Sequence, residues 1–143
     1  MQPLENIDLA SDPAAARYVK DEIVQVEFAH AAGALQSLEG ANAYASGDAL
    51  VTGSLGNRWV VSRARFEQRY RALVPLAMGQ DGAYRNLAVP VLARQMSHPF
   101  AIRRSTGGDV LHGAAGDWLM QYAPGDYGIT EQRRFAAVYR RAN

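Results

Sequence analysis

Apolar and polar residues alternate along this chain in short runs separated by glycine-bearing turns. Ile23, Val24, Val26 and Phe28 follow the period of a half-buried strand. Further strands are predicted at 49–52 and 118–122, each directly after a Gly-Asp pair, and at 58–61 and 127–129 beyond a turn. The period then changes. In ITEQRRFAAVYRR, Phe135, Val138 and Tyr139 fall at i, i+3 and i+4, which predicts an amphipathic helix with Thr130 as N-cap and Glu131 as first-turn anion. Ser62 takes the same capping role before RARFEQRYRAL, whose stripe is Phe66, Tyr70 and Leu73. Ser11, Asp12 and Pro13 are helix-start signals and predict a short helix near the N-terminus.

These patterns recur. Residues 45–71 set over 114–140 at a constant offset of 69 share nine of 27 residues, among them Gly47/Gly116, Asp48/Asp117, Gly56/Gly125, Phe66/Phe135 and Tyr70/Tyr139. Upstream, IVQVEFA (23–29) pairs with AVPVLAR (88–94) if the loop around SHPF (97–100) absorbs a four-residue difference. The expected organisation is an N-terminal segment at 1–16, a first unit at 17–74, a turn-rich linker at 75–83 and a second unit at 84–143. Each unit reads as strand, hairpin and helix. The expected class is α+β, two tandem antiparallel units with pseudo-twofold symmetry.

The second half carries APGDYG (123–128) between GDWLMQY and the Phe135 helix. With its complete Pro-Gly-Asp-Tyr-Gly run it resembles the bacterial family named for that motif, mainly over 88–141. The resemblance implies a bacterial origin and brings no activity with it. In the first half the matching positions read Leu55-Gly56-Asn57-Arg58-Trp59, which keep the glycine and a turn-forming Asn but lose Pro and Tyr.

Composition narrows the classes. At 143 residues, 48% hydrophobic and 20% charged, the chain is long enough for one compact domain or two packed halves, with no membrane-length apolar window. It has no cysteine, which excludes disulfides, thiolate catalysis and thiolate-bound metals. The first 18 residues lack the basic start and apolar run of a signal peptide, so a cytoplasmic location is expected. Net charge is +1, so no nucleic-acid or membrane partner is expected, and no cofactor motif is present.

Candidate chemistry is sparse. Asp126 reads as a turn residue or a functional carboxylate, and Asp48 and Asp117 as Asx-turn residues or a paired carboxylate site. His30 and His98 sit at nearly equivalent places in the two halves, near Asp48 and Asp117, and make the best acid/base or metal constellation, although none of the three histidines, His112 included, has a short metal-site spacing. RRSTGGDVLHG (103–113) reads as an anion-holding loop or a hairpin turn at Gly107-Gly108. Trp118 and Tyr127 lack aromatic counterparts at Ala49 and Arg58, so they mark where the halves diverge. The reading is a binding module for a small or anionic ligand, lined by Arg103, His112, Trp118 and Tyr127. The alternatives are a small enzyme (hydrolase, lyase or isomerase) using His98, His112 and Asp117, and a homodimeric interaction protein.

Overall fold

The computed structural model describes residues 1–37 and 40–142. A 3-10 turn at Leu9–Ser11 leads into β1 (Ala16–Lys20), β2 (Ile23–Phe28), β3 (Gly33–Ser37), β4 (Gly40–Tyr44), β5 (Ala49–Thr52) and β6 (Arg58–Val61). Helix α1 (Arg63–Arg69) runs straight into β7 (Tyr70–Ala72), and β8 (Gly82–Asn86) follows. Then come β9 (Pro90–Gln95), β10 (Phe100–Arg103), β11 (Val110–Gly113), β12 (Trp118–Ala123), β13 (Asp126–Thr130), α2 (Gln132–Val138) and β14 (Tyr139–Arg141).

The expected α+β class is overturned. The protein is mostly β, at 47% strand and 12% helix, with four antiparallel sheets and two helices among the described residues. Each helix is only seven residues long and gives way to a strand at a tyrosine, Tyr70 or Tyr139, with φ of −130° or −107°. Two turns of helix are too short to be stable alone, so packing of Phe66 and Phe135 holds them.

The tandem strand-hairpin-helix arrangement is overturned too, because each compact unit borrows a strand from beyond its expected boundary. Unit 2 is Asp21–Leu87, and unit 1 joins Met1–Lys20 to Ala88–Asn143. The unit 2 sheet has the order β6-β5-β2-β8-β7, and the unit 1 sheet β13-β12-β9-β1-β14; each unit adds a separate hairpin, β3-β4 or β10-β11. The fourth strand of unit 1 is therefore β1, where a helix was expected. Pro13 and Ala14 to Ala16 favour helix locally, but Ala16 to Val19 pair with β9, and Tyr18 to Lys20 pair with β14. Such long-range pairing outweighs a weak local propensity.

Strand registers correct the upstream alignment. Val26 faces Val51 in unit 2, and Ala93 faces Met120 in unit 1. Because Val51 and Met120 correspond at the offset of 69, Val24 corresponds to Val91, two residues away from the sequence-based pairing. The fourth strands then align as well: Tyr84 faces Val24 and Ala72, and Tyr18 faces Val91 and Arg141.

In unit 2 the core is Val24, Val26, Phe28, Val51, Phe66, Tyr70 and Tyr84. Unit 1 has two clusters. One gathers Leu9, Phe100, Ile102, Leu119 and Tyr127, and the other gathers Ala93, Met120 and Phe135 with Tyr18, Trp118 and Tyr139.

Candidate functional site

On one face of the unit 1 sheet, four rings meet. The Trp118 and Phe135 rings stack at 3.7 Å with 5° between planes, Phe135 stacks on Tyr139 at 4.7 Å, and Tyr18 meets both Trp118 and Phe135 obliquely at 5.1 and 5.0 Å. Each such pair contributes about 0.5–1.5 kcal/mol beyond area burial. Strand pairing places β1, β9 and β12 side by side, and α2 lays Phe135 across them. Phe135 is buried, but Tyr18, Trp118 and Tyr139 are only half-buried, and they line an open cleft of about 390 Å³. Arg141 lies over the Tyr18 ring at 5.7 Å, and Gln95, Gln132 and Arg140 complete the rim.

Unit 2 builds the same cluster from Phe28, Phe66, Tyr70 and Tyr84, and all four are buried. Phe66 stacks on Tyr70 at 4.7 Å with 8° between planes, as Phe135 does on Tyr139. Phe28 takes the place of Trp118 from the neighbouring strand: Phe28 faces Ala49, whereas Trp118 faces Gln95. One large ring thus fills each cross-strand pair, supplied from opposite sides. What differs is the cover. The Pro75–Asp81 segment brings Leu76 against the unit 2 cluster, and Arg63 lies over Phe28 at 4.5 Å.

The 124–128 turn has a different job. Pro124 and Gly125 are the two corner residues between β12 and β13, with Gly125 at φ 79°, the sequence pattern of a type II turn. Gly56 holds the matching position in unit 2 at φ 84°. Tyr127 is 4% exposed, and its hydroxyl donates to the Ile7 carbonyl. Gly128 leaves room for the Tyr122 ring, whose edge comes within 2.8 Å of where a Cβ would stand. Desolvation of its hydroxyl end raises the Tyr122 phenol above its ordinary value, and a hydrogen bond with Thr130 opposes this.

Tyr127 is one of several stitches on the N-terminal segment. Leu4 bridges Ile102, the Arg103 side chain donates to the Glu5 carboxylate, Leu9 N donates to Gln121 Oε1 at 2.7 Å, and Arg94 pairs with Asp12 at 2.7 Å.

The sequence-predicted residues do not form one site. Arg103 and Tyr127 line a cavity of about 80 Å³ with Glu5, Asn6, Ser105 and Thr106. An anion entering it would meet the Glu5 carboxylate, while Arg103 also donates to the Gly108 carbonyl at 2.9 Å. Trp118 lines the aromatic cleft instead. His112 is exposed on β11 opposite Ala101, His30 is exposed, and His98 is exposed with Ser97 Oγ 2.9 Å from its Nδ1. Among the described residues no histidine is bonded to a carboxylate, and no metal-holding cluster of His, Asp and Glu exists. Asp117 accepts from Ala114 N at 2.9 Å and from Gln132 N at 3.1 Å, so it closes its own turn and caps α2. Asp48 accepts from Ala45 N at 2.9 Å in the same way. Thr130 ends β13; the N-cap of α2 is Glu131, which accepts from the Arg133 and Arg134 amides. Ser62 stands at the N-cap of α1 but makes no side-chain cap bond.

The sequence profile of the PGDYG protein family matches residues 40–140. The chain belongs to this family. The matched span includes the PGDYG turn itself, whose Tyr127 clamps Ile7 in the N-terminal segment of unit 1. No curated protein and no solved structure matches this PGDYG chain. Among the described residues no helix is long and apolar enough to cross a membrane.

Sequence reasoning missed Tyr18 and Tyr139 as cleft residues. Tyr139 falls on the expected helix stripe, and Tyr18 lies just past the N-terminal segment for which a short helix is expected. One signal was available: Tyr18 and Tyr84 both stand ahead of a valine-bearing strand, at 23–28 and 90–95.

Proposed function

We propose that this PGDYG-family protein is a binding module whose ligand enters the aromatic cleft of unit 1. One observation carries the reading: a ring cluster that is buried beneath its own loop in unit 2 stands half-exposed in unit 1. Its volume falls in the range of small-molecule sites, and parallel rings offer a flat apolar surface. Arg141 on the rim favours an anionic group on the ligand, in keeping with the small or anionic ligand expected from the sequence. Acid/base catalysis has no comparable support, because among the described residues no histidine is bonded to a carboxylate.

The test uses anilinonaphthalene sulfonate, a flat anionic dye, on the folded chain. Saturable binding at one site that is lost in Trp118→Ala and kept in Trp59→Phe is expected. Dye binding equal in wild type and Trp118→Ala, or none at all, contradicts the reading.

A further inference from the structure

We infer that the natural occupant of the unit 1 cleft is a peptide turn carrying a leucine-size side chain, presented by a partner chain; this rests on the cleft being a binding surface. Unit 2 shows the same cluster with such an occupant in place. Its Pro75–Asp81 loop packs Leu76 against the core cluster that holds the rings. Backbone groups of that loop also surround the Tyr84 hydroxyl, which accepts from Gly79 N at 3.0 Å and faces the Gln80 and Ala77 carbonyls at 2.7 and 3.3 Å. The cluster therefore recognises an isobutyl group and a run of peptide amides together.

Tyr18 holds the place of Tyr84, and its hydroxyl makes no hydrogen bond among the described residues. A half-buried phenol wants a donor and an acceptor at once, which a peptide turn supplies and a hydrocarbon does not. The approach to the cluster is alike as well. Leu73 N bonds to the Ala83 carbonyl at 3.1 Å where the unit 2 loop begins, and Ala142 N bonds to the Arg17 carbonyl at 3.0 Å at the corresponding point of unit 1. Up to there the two units present the same backbone frame to an occupant.

The probe is a synthetic peptide of residues 74–81, VPLAMGQD, capped at both ends and titrated into the full chain, with NMR shifts followed at Tyr18, Trp118, Tyr139 and Tyr84. Saturable shifts at the first three and none at Tyr84 are expected. The same peptide with Leu76→Ala should bind about tenfold more weakly or worse. Tyr18→Phe, which removes only the hydroxyl, should weaken binding about five-fold. If the peptide leaves unit 1 unchanged while the dye still binds there, the peptide inference is overturned and the cleft reading stands. If neither binds, both fall. Shifts at Tyr84 instead, or binding indifferent to both the leucine and the hydroxyl, also overturn the inference.

Discussion

Unit 2 hides all four rings of its aromatic cluster, and unit 1 leaves three of its four half-exposed. The sheets that carry them have corresponding strand orders, and the stacked pairs Phe66–Tyr70 and Phe135–Tyr139 share a 4.7 Å spacing. The difference lies outside the frame. A loop with one leucine and three backbone contacts turns a surface into a core. The frame needs the rings for packing in both units, and exposure of their outer faces is then available for recognition in one.

The largest effect that separates the units is truncation of their matching tyrosines. Tyr84→Ala removes a fully buried ring and strands three backbone groups, so it should cost about 3–5 kcal/mol in denaturant unfolding. Tyr18→Ala removes a half-buried ring and should cost about 1–2 kcal/mol. Equal costs would break the comparison.

Next come the glycines before β5 and β12. Gly47 and Gly116 have φ of 91° and 94°, so alanine is strained at both; at Gly116 its Cβ would also strike Gln132, while at Gly47 it meets nothing within 4 Å. Gly47→Ala and Gly116→Ala should each cost about 1–2 kcal/mol, read from unfolding midpoints, because the exposed Gln132 amide can swing away from the new Cβ and the shared positive φ sets the cost at both sites.

Tyr127→Phe deletes the hydroxyl that holds Ile7, a contact with no equivalent at Arg58. The expected loss is about 1 kcal/mol, together with faster protease cleavage within residues 1–12. Unchanged cleavage would mean that the PGDYG turn does not clamp this segment.

The smallest effect is a pH dependence confined to unit 1. A backbone hydrogen bond from Ala14, joined by Arg94, holds the Asp12 carboxyl below its ordinary 3.8. A lowered folded pKa means stability that is complete above 3.8 and fades as pH falls through the folded value. Asp12→Asn should therefore unfold with a shallower acid slope below that pH and match wild type in slope at neutrality. An identical acid slope would remove the Asp12–Arg94 stitch from the account.

Much of the fold was legible in local pattern. Strands 23–28, 49–52 and 58–61, the turns at Gly56, Gly107 and Gly125, and the Phe66 and Phe135 helices were all visible in alternation and glycine placement. What was hidden is long-range. β1 is specified by partners more than seventy residues away, and no periodicity within Ala16–Lys20 records them. The Phe66 and Phe135 stripes mark helices but not their length: each stops after seven residues at a tyrosine in extended conformation, so the class is mostly β and not α+β.

The candidate site was legible by half. Trp118 stood out because Ala49 is its counterpart, yet its ring replaces Phe28 of the adjacent strand, a substitution that only cross-strand register reveals. Tyr127 stood out for a structural reason, the clamp on Ile7. The contrast between the two clusters depends on the Pro75–Asp81 loop packing against the cluster that holds the rings in unit 2, and the sequence pattern shows that loop only as a linker.

The contrast between the two ring clusters is tested most directly with fluorine-labelled tyrosine and a soluble paramagnetic agent. The account expects the Tyr18 and Tyr139 signals to broaden strongly while those of Tyr70 and Tyr84 stay sharp. Tyr18 protected as fully as Tyr84 would contradict it.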